Sequence, residues 1–130
     1  MKILLAEDDF ATRKFMANFM SRYGECDVTV DGMEAVDAFM MALEMDEPYD
    51  LVCLDIMMPV MDGYQALMGI RNLEKEREIP KEKAVKVIMA TALNDPKNVK
   101  MAFDLGCTIY TGKPIDEARF EQALKKLGLV

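Results

Sequence analysis

Five short, almost wholly apolar runs alternate with five amphipathic stretches along this chain, and that alternation restricts its fold more than any other feature. Ile3-Leu4-Leu5-Ala6 opens the series and runs into Glu7-Asp8-Asp9. Cys26 to Val30, Asp50 to Asp55, Val85 to Ala90 followed by Thr91, and Thr108 to Tyr110 continue it. Runs this short, bounded by polar residues, read as buried strands. Between them, apolar residues recur at helical spacing. The first stripe is Phe15, Met16, Phe19, Met20 and Tyr23; the second is Ala35, Val36, Phe39, Met40 and Leu43. A third helix is expected from Gly63 to Glu78 with Leu67, Ile70 and Leu73 inward, stopped by Pro80. Gly24 and Gly106 suit helix ends, and Asp95-Pro96 and Asp116 suit helix starts, the last helix carrying Phe120, Ala123, Leu124 and Leu127.

Strands apolar along their whole length need cover on both faces. The expected fold is therefore α/β: (βα) five times, an open doubly wound parallel sheet in three layers, with right-handed crossovers. The 130 residues suit one domain, 1–130. Sheets of this kind take ligands beyond the carboxyl ends of their strands.

Composition removes whole classes of chemistry. The chain has no histidine, so it offers no imidazole for acid–base work or metal ligation and no phosphohistidine of its own. A net charge of −7 without a basic block argues against direct nucleic-acid binding. Cys26, Cys53 and Cys107 are odd in number and far apart, which suits reduced thiols in a cytoplasmic protein. The acids at positions 7–9 argue against a signal peptide, and no apolar run is long enough to span a membrane, so no membrane insertion is expected.

Polar groups close four of the five strands. Asp8 and Asp9 follow the first, Asp55 ends the third, Thr91 ends the fourth, and Lys113 follows the fifth. A parallel sheet brings all of these to one edge. Three carboxylates placed together repel one another unless a cation sits among them. Ligation by oxygen alone favours Mg²⁺ over zinc. A lysine and a hydroxyl nearby can meet a phosphoryl group. The set points to a carboxylate nucleophile that accepts one.

These residues resemble the response-regulator receiver domain of bacterial two-component signalling, across essentially the whole chain. The likeness is carried by Ile3 to Asp9 with Arg13 behind them, by Asp55-Ile56-Met57-Met58-Pro59-Val60-Met61-Asp62-Gly63, by Ala90-Thr91-Ala92, and by Tyr110-Thr111-Gly112-Lys113-Pro114. The chain is similar to the stand-alone chemotaxis regulator in having little beyond the receiver. The resemblance implies a flavodoxin-like sheet of strand order 2-1-3-4-5. It implies Asp55 as phospho-acceptor, and Mg²⁺ held by Asp9, Asp55 and the Met57 backbone carbonyl, with Asp8 reached through water. Lys113 and Thr91 would contact the phosphoryl group. Thr91 and Tyr110 would form the switch, and the Lys113-Pro114 bond is commonly cis in the family.

The donor implied is a sensor histidine kinase or a phosphotransfer protein. The target would read the face built from the fourth helix, fifth strand and fifth helix, as a monomer or a phosphorylation-dependent dimer. The protein would catalyse its own phosphorylation and dephosphorylation without turning over an external substrate. No output domain is expected beyond Val130, so output is expected through protein contacts. Alternatives are a receiver excised from a hybrid kinase or multidomain regulator, and a receiver-like module that never uses phosphate. A phosphatase of the haloacid-dehalogenase type would need an acid at position 57, where Met57 stands; a flavodoxin-like carrier would need a phosphate loop where three acids stand. Met57 and Leu93 cannot orient an attacking water, which predicts slow self-dephosphorylation. The run from Glu74 to Lys83 is expected to be an extended solvated end or a partner contact.

Overall fold

The apolar runs become five parallel strands. A computed structural model describes residues 1–92, 96–113 and 115–130, with the side chains of 96 and 97 left out. In chain order the elements are β1 (Lys2–Ala6), α1 (Phe10–Met20), β2 (Glu25–Thr29), α2 (Gly32–Glu44), β3 (Leu51–Asp55), α3 (Gly63–Glu76), a 3₁₀ turn (Lys81–Lys83), β4 (Lys86–Thr91), α4 (Pro96–Asp104), β5 (Ile109–Gly112) and α5 (Glu117–Lys126). The sheet order is β2-β1-β3-β4-β5, as expected. Leu93, Asp95 and the Lys113-Pro114 peptide bond lie outside the described residues.

Successive strand residues face opposite sides, so the central strands β1, β3 and β4 feed two cores, whereas β2, expected to be buried, is an edge strand that leaves Val28 43% exposed. Leu4, Val52, Leu54, Val87 and Met89 pack with Phe39, Leu67 and Ile70 from α2 and α3. Ile3, Leu5, Leu51, Cys53 and Ile88 pack with Met16, Phe19 and Met20 from α1 and with Phe120 and Leu124 from α5. The Phe19 and Phe120 rings meet at 5.4 Å and tie the two helices of that layer together. A sheet covered by apolar helices on both faces is the three-layer arrangement the alternation predicts.

Four local expectations change. Phe15 is half exposed, because a stripe at i, i+1, i+4 and i+5 is wider than the strip α1 buries; its ring instead leans edge-on against Phe19. Gly24 does not end α1, which closes at Met20. A Cβ at Gly24 would lie 2.0 Å from the Met1 carbonyl oxygen, so glycine is needed for the close passage of the N-terminus, whose Met1 carbonyl accepts from Glu25 N.

The run from Glu74 to Lys83 is not simply solvated. Glu74 is buried; its Oε1 accepts from Arg71 Nη1 at 2.7 Å and its Oε2 from Val85 N at 2.7 Å. Arg71 also donates to the carbonyls of Val85 and Gly106. This buried pair fastens the end of α3 to the entry of β4 and to the turn before β5. The helix ends two residues early, at Glu76, and Glu78 takes a left-handed φ of 55° in the turn that follows.

Candidate functional site

Strand register decides which polar groups meet. Ala6 pairs with Leu54, so the residues that follow, Glu7 and Asp55, emerge side by side at the sheet edge. Asp55 pairs with Ala90, and Thr91 with Gly112, which brings Thr91 and Lys113 to the same edge. The Lys113 amide donates to the Thr91 carbonyl at 2.8 Å and fixes where the lysine leaves β5.

The Lys113 ammonium stands between two carboxylates. Its Nζ is 3.0 Å from Asp55 Oδ2 and donates to Glu7 Oε1. Asp55 is 6% exposed and Glu7 1%. Burial, reinforced by Asp55 beside it and opposed by Lys113, pushes the Glu7 carboxyl up to about 8. Burial alone would pull Lys113 down, but its bonds to Glu7 and Asp55 outweigh that and hold it above its ordinary value.

Asp8 completes the cluster from the exposed side. Carboxylate oxygens of Glu7, Asp8 and Asp55 all lie within 4.8 Å of one another. Glu7 Oε2 is buried and has no hydrogen-bond partner among the described residues. An orphaned buried oxygen beside two further carboxylates is a donor set that a hard, oxygen-seeking divalent cation satisfies, so these residues fit Mg²⁺.

Asp9 is not part of this cluster, contrary to its expected role as a direct ligand. It is the N-cap of α1, and its Oδ2 accepts from Thr12 N at 2.9 Å and from Thr12 Oγ1 at 2.6 Å. Those bonds hold its carboxyl below the usual range. The four free amides of a helix start compete for a nearby carboxylate, and the acid one step from the helix wins. Asp8, expected to complete the acidic pocket and to reach Mg²⁺ through water, places an oxygen within the cluster, and Glu7 enters it as a residue not expected there. A signal for Glu7 was present: four apolar residues precede Glu7 in Ile3-Leu4-Leu5-Ala6, and four precede Asp55 in Leu51-Val52-Cys53-Leu54.

The remaining expected residues lie at the end of β4, on β5 and in the loop after β3. Thr91 is fully buried at the end of β4. Tyr110 is partly buried and packs against the core beneath α2 and α3. The Met57 side chain is exposed in the loop after β3. That loop is held firmly. Met61 O accepts from Gly32 N at 3.0 Å, and Asp62 and Gln65 form a reciprocal cap that starts α3. A Cβ at Gly63 would lie 2.4 Å from the Asp55 carbonyl oxygen, so only glycine lets α3 begin directly against the strand end that carries Asp55. The loop also keeps Val60 at a φ of 69°, an uncommon conformation for a β-branched residue.

Chemically, the site offers one carboxylate beside a fixed ammonium, with two acids able to hold a cation against it. An anionic group attached to Asp55 would meet the Lys113 ammonium on one side and, with a cation held by Glu7 and Asp8, positive charge on the other.

The response regulator receiver domain family matches residues 3–125. The peroxide stress-activated histidine kinase mak1 of Schizosaccharomyces pombe is 37% identical over 114 residues, 87% of this chain and 7% of that protein. The probable transcriptional regulator ycf27 of Cyanophora paradoxa is 33% identical over 127 residues, 97% of this chain and 47% of that one. The chain therefore spans less than half the length of these two relatives. Among solved structures, the CheX-CheY complex with BeF3 and Mg²⁺ from Borrelia burgdorferi has a TM-score of 0.83 at 28% identity, covering 100% of this chain and 90% of that one. The Ssk1 receiver domain of Saccharomyces cerevisiae, in complex with the phosphotransfer protein Ypd1, has a TM-score of 0.83 at 22% identity, covering 98% and 88%. At that identity the likeness bears on the fold alone. No helix among the described residues is long and apolar enough to cross a membrane.

Proposed function

This chain belongs to the response regulator receiver domain family of two-component signalling, and on that basis we propose that Asp55 is its phospho-acceptor. The donor is the phosphohistidine of a sensor histidine kinase or of a phosphotransfer protein. The P–N bond of the donor breaks as a P–O bond to the Asp55 carboxylate forms, and the donor imidazole leaves with the electron pair. The observation that carries this reading is the Lys113 ammonium 3.0 Å from Asp55 Oδ2, inside a cluster of three carboxylates at the carboxyl edge of the sheet.

Each residue has a task. Glu7, Asp8 and Asp55 would hold Mg²⁺, which when bound offsets the charge of the phosphoryl oxygens. Lys113 neutralises Asp55 before transfer and pairs with the phosphoryl group after it. Thr91, at the end of the neighbouring strand, supplies a hydroxyl to that group. Its movement, coupled to Tyr110 on β5, shifts a two-state equilibrium on the face of α4, β5 and α5, which a target protein reads. Met57 carries no group that can orient water, so the phosphoryl group on Asp55 is lost slowly. The protein handles its own phosphoryl group and turns over no external substrate. The 37% identity to a histidine kinase of which this segment is a small part favours a second setting for the same chemistry, a receiver within a longer signalling protein.

The test is intact-protein mass after incubation with acetyl phosphate, with Mg²⁺ and with chelator. A single phosphoryl adduct that requires Mg²⁺ is expected. Absence of an adduct at excess donor and Mg²⁺ would replace this reading with a phosphate-independent binding module.

A further inference from the structure

We infer that Arg13 is a positioning residue for the acidic site. The inference rests on the reading of Glu7, Asp8 and Asp55 as the Mg²⁺ cluster.

In an extended strand, successive carbonyls point in opposite directions and successive side chains go to opposite faces. Glu7 and Asp8 are adjacent, yet both present carboxylate oxygens to the same point beside Asp55. The chain must therefore turn out of strand geometry immediately after Ala6, where β1 ends. Arg13 holds that turn. Its Nη1 donates to the Glu7 carbonyl at 2.9 Å and to the Asp8 carbonyl at 3.2 Å. One nitrogen can meet two successive carbonyls only where both peptides are rotated to the same side, and that rotation is what sends both carboxylates to one place.

The arginine is itself well anchored. Its backbone amide donates to Asp9 O at 2.8 Å in the first turn of α1, and its guanidinium carbon lies 5.5 Å from the centre of the Phe10 ring. Its side-chain hydrogen bonds go to backbone carbonyls, and it forms no ion pair among the described residues. Its contribution is geometric.

The sign of one measurement separates this from a role through charge. A cation beside a cation site repels the ion, so if charge were all that mattered, removing Arg13 would tighten Mg²⁺ binding. If Arg13 positions the ligands, removing it weakens binding, in the range of about 10- to 100-fold found when a metal ligand loses its outer support. Mg²⁺ is titrated calorimetrically into the wild type, Arg13→Met and Arg13→Lys. Arg13→Met keeps an apolar stem against Phe10 and loses the donors; Arg13→Lys restores a donor able to bridge both carbonyls.

Positioning predicts at least about tenfold weaker binding in Arg13→Met and recovery of most of it in Arg13→Lys. Unchanged or tighter binding in a folded Arg13→Met protein overturns the inference. If circular dichroism finds that variant unfolded, Arg13→Gln takes its place, with weaker binding expected and unchanged or tighter binding contradicting. A wild type that binds no Mg²⁺ instead overturns the reading of the acidic cluster itself, and the inference with it.

Discussion

Glu7 Oε1 accepts a hydrogen bond from Lys113 Nζ, while Oε2 of the same buried carboxylate has no partner among the described residues. Half of this group is satisfied and half is not, in a carboxylate that lies within a cluster of three acids. Without a cation, an ionised Glu7 is costly to bury, which is why its carboxyl rises from its ordinary 4.5 to about 8.

That shift fixes a pH dependence. A carboxyl with a raised folded-state value binds its proton more tightly folded than unfolded. Its contribution to stability is therefore fully present below about 4.5 and lost as pH rises towards 8. In chelator, Glu7→Gln should gain stability relative to wild type as pH rises from 5 to 8. Urea midpoints of the two proteins at both pH values check this. The same variant should bind Mg²⁺ more weakly, because it has exchanged a carboxylate for an amide.

The buried pair at the opposite end of the sheet should behave as structure, not surface. Glu74→Ala removes the acceptor for the Val85 amide and for one bond of Arg71. Leaving such groups unpaired costs about 2 to 3 kcal/mol. Exposed Glu76→Ala, in the same charged run, should change stability by less than about 0.5 kcal/mol. Denaturant unfolding of the two variants side by side separates them.

Val60 presents the reverse case. Its φ of 69° is unfavourable for a β-branched side chain, and it is 75% exposed, so little packing repays the strain. Asparagine tolerates that conformation. Val60→Asn should stabilise the protein by about 1 kcal/mol, read as a higher urea midpoint with an unchanged slope.

Much of this was legible from the order of residues. Short apolar runs separated by helical stripes read as strands, although only β1, β3 and β4 are buried along nearly their whole length while the edge strands β2 and β5 are not; strands closed by Asp55, Thr91 and Lys113 must meet at one edge of a parallel sheet. What the order could not settle was which of three consecutive acids turns inward. Glu7, Asp8 and Asp9 are chemically alike; the choice is made by the register of β1 against β3, which pairs Glu7 with the Asp55 level, and by the amides of α1, which capture Asp9. Glu74 was illegible for a similar reason. It lies in a run of charges, and only the arrival of Arg71 and the Val85 amide distinguishes it from its exposed neighbours.

The most direct test of the site compares its acids one at a time. Wild type, Asp55→Asn, Asp8→Asn and Asp9→Asn are incubated with acetyl phosphate and Mg²⁺, and the intact masses are measured. Transfer to Asp55 within a Glu7–Asp8–Asp55 cluster predicts one phosphoryl group on the wild type and on Asp9→Asn, none on Asp55→Asn, and a large loss for Asp8→Asn. An adduct that survives in Asp55→Asn, or one that is lost in Asp9→Asn and retained in Asp8→Asn, would contradict it.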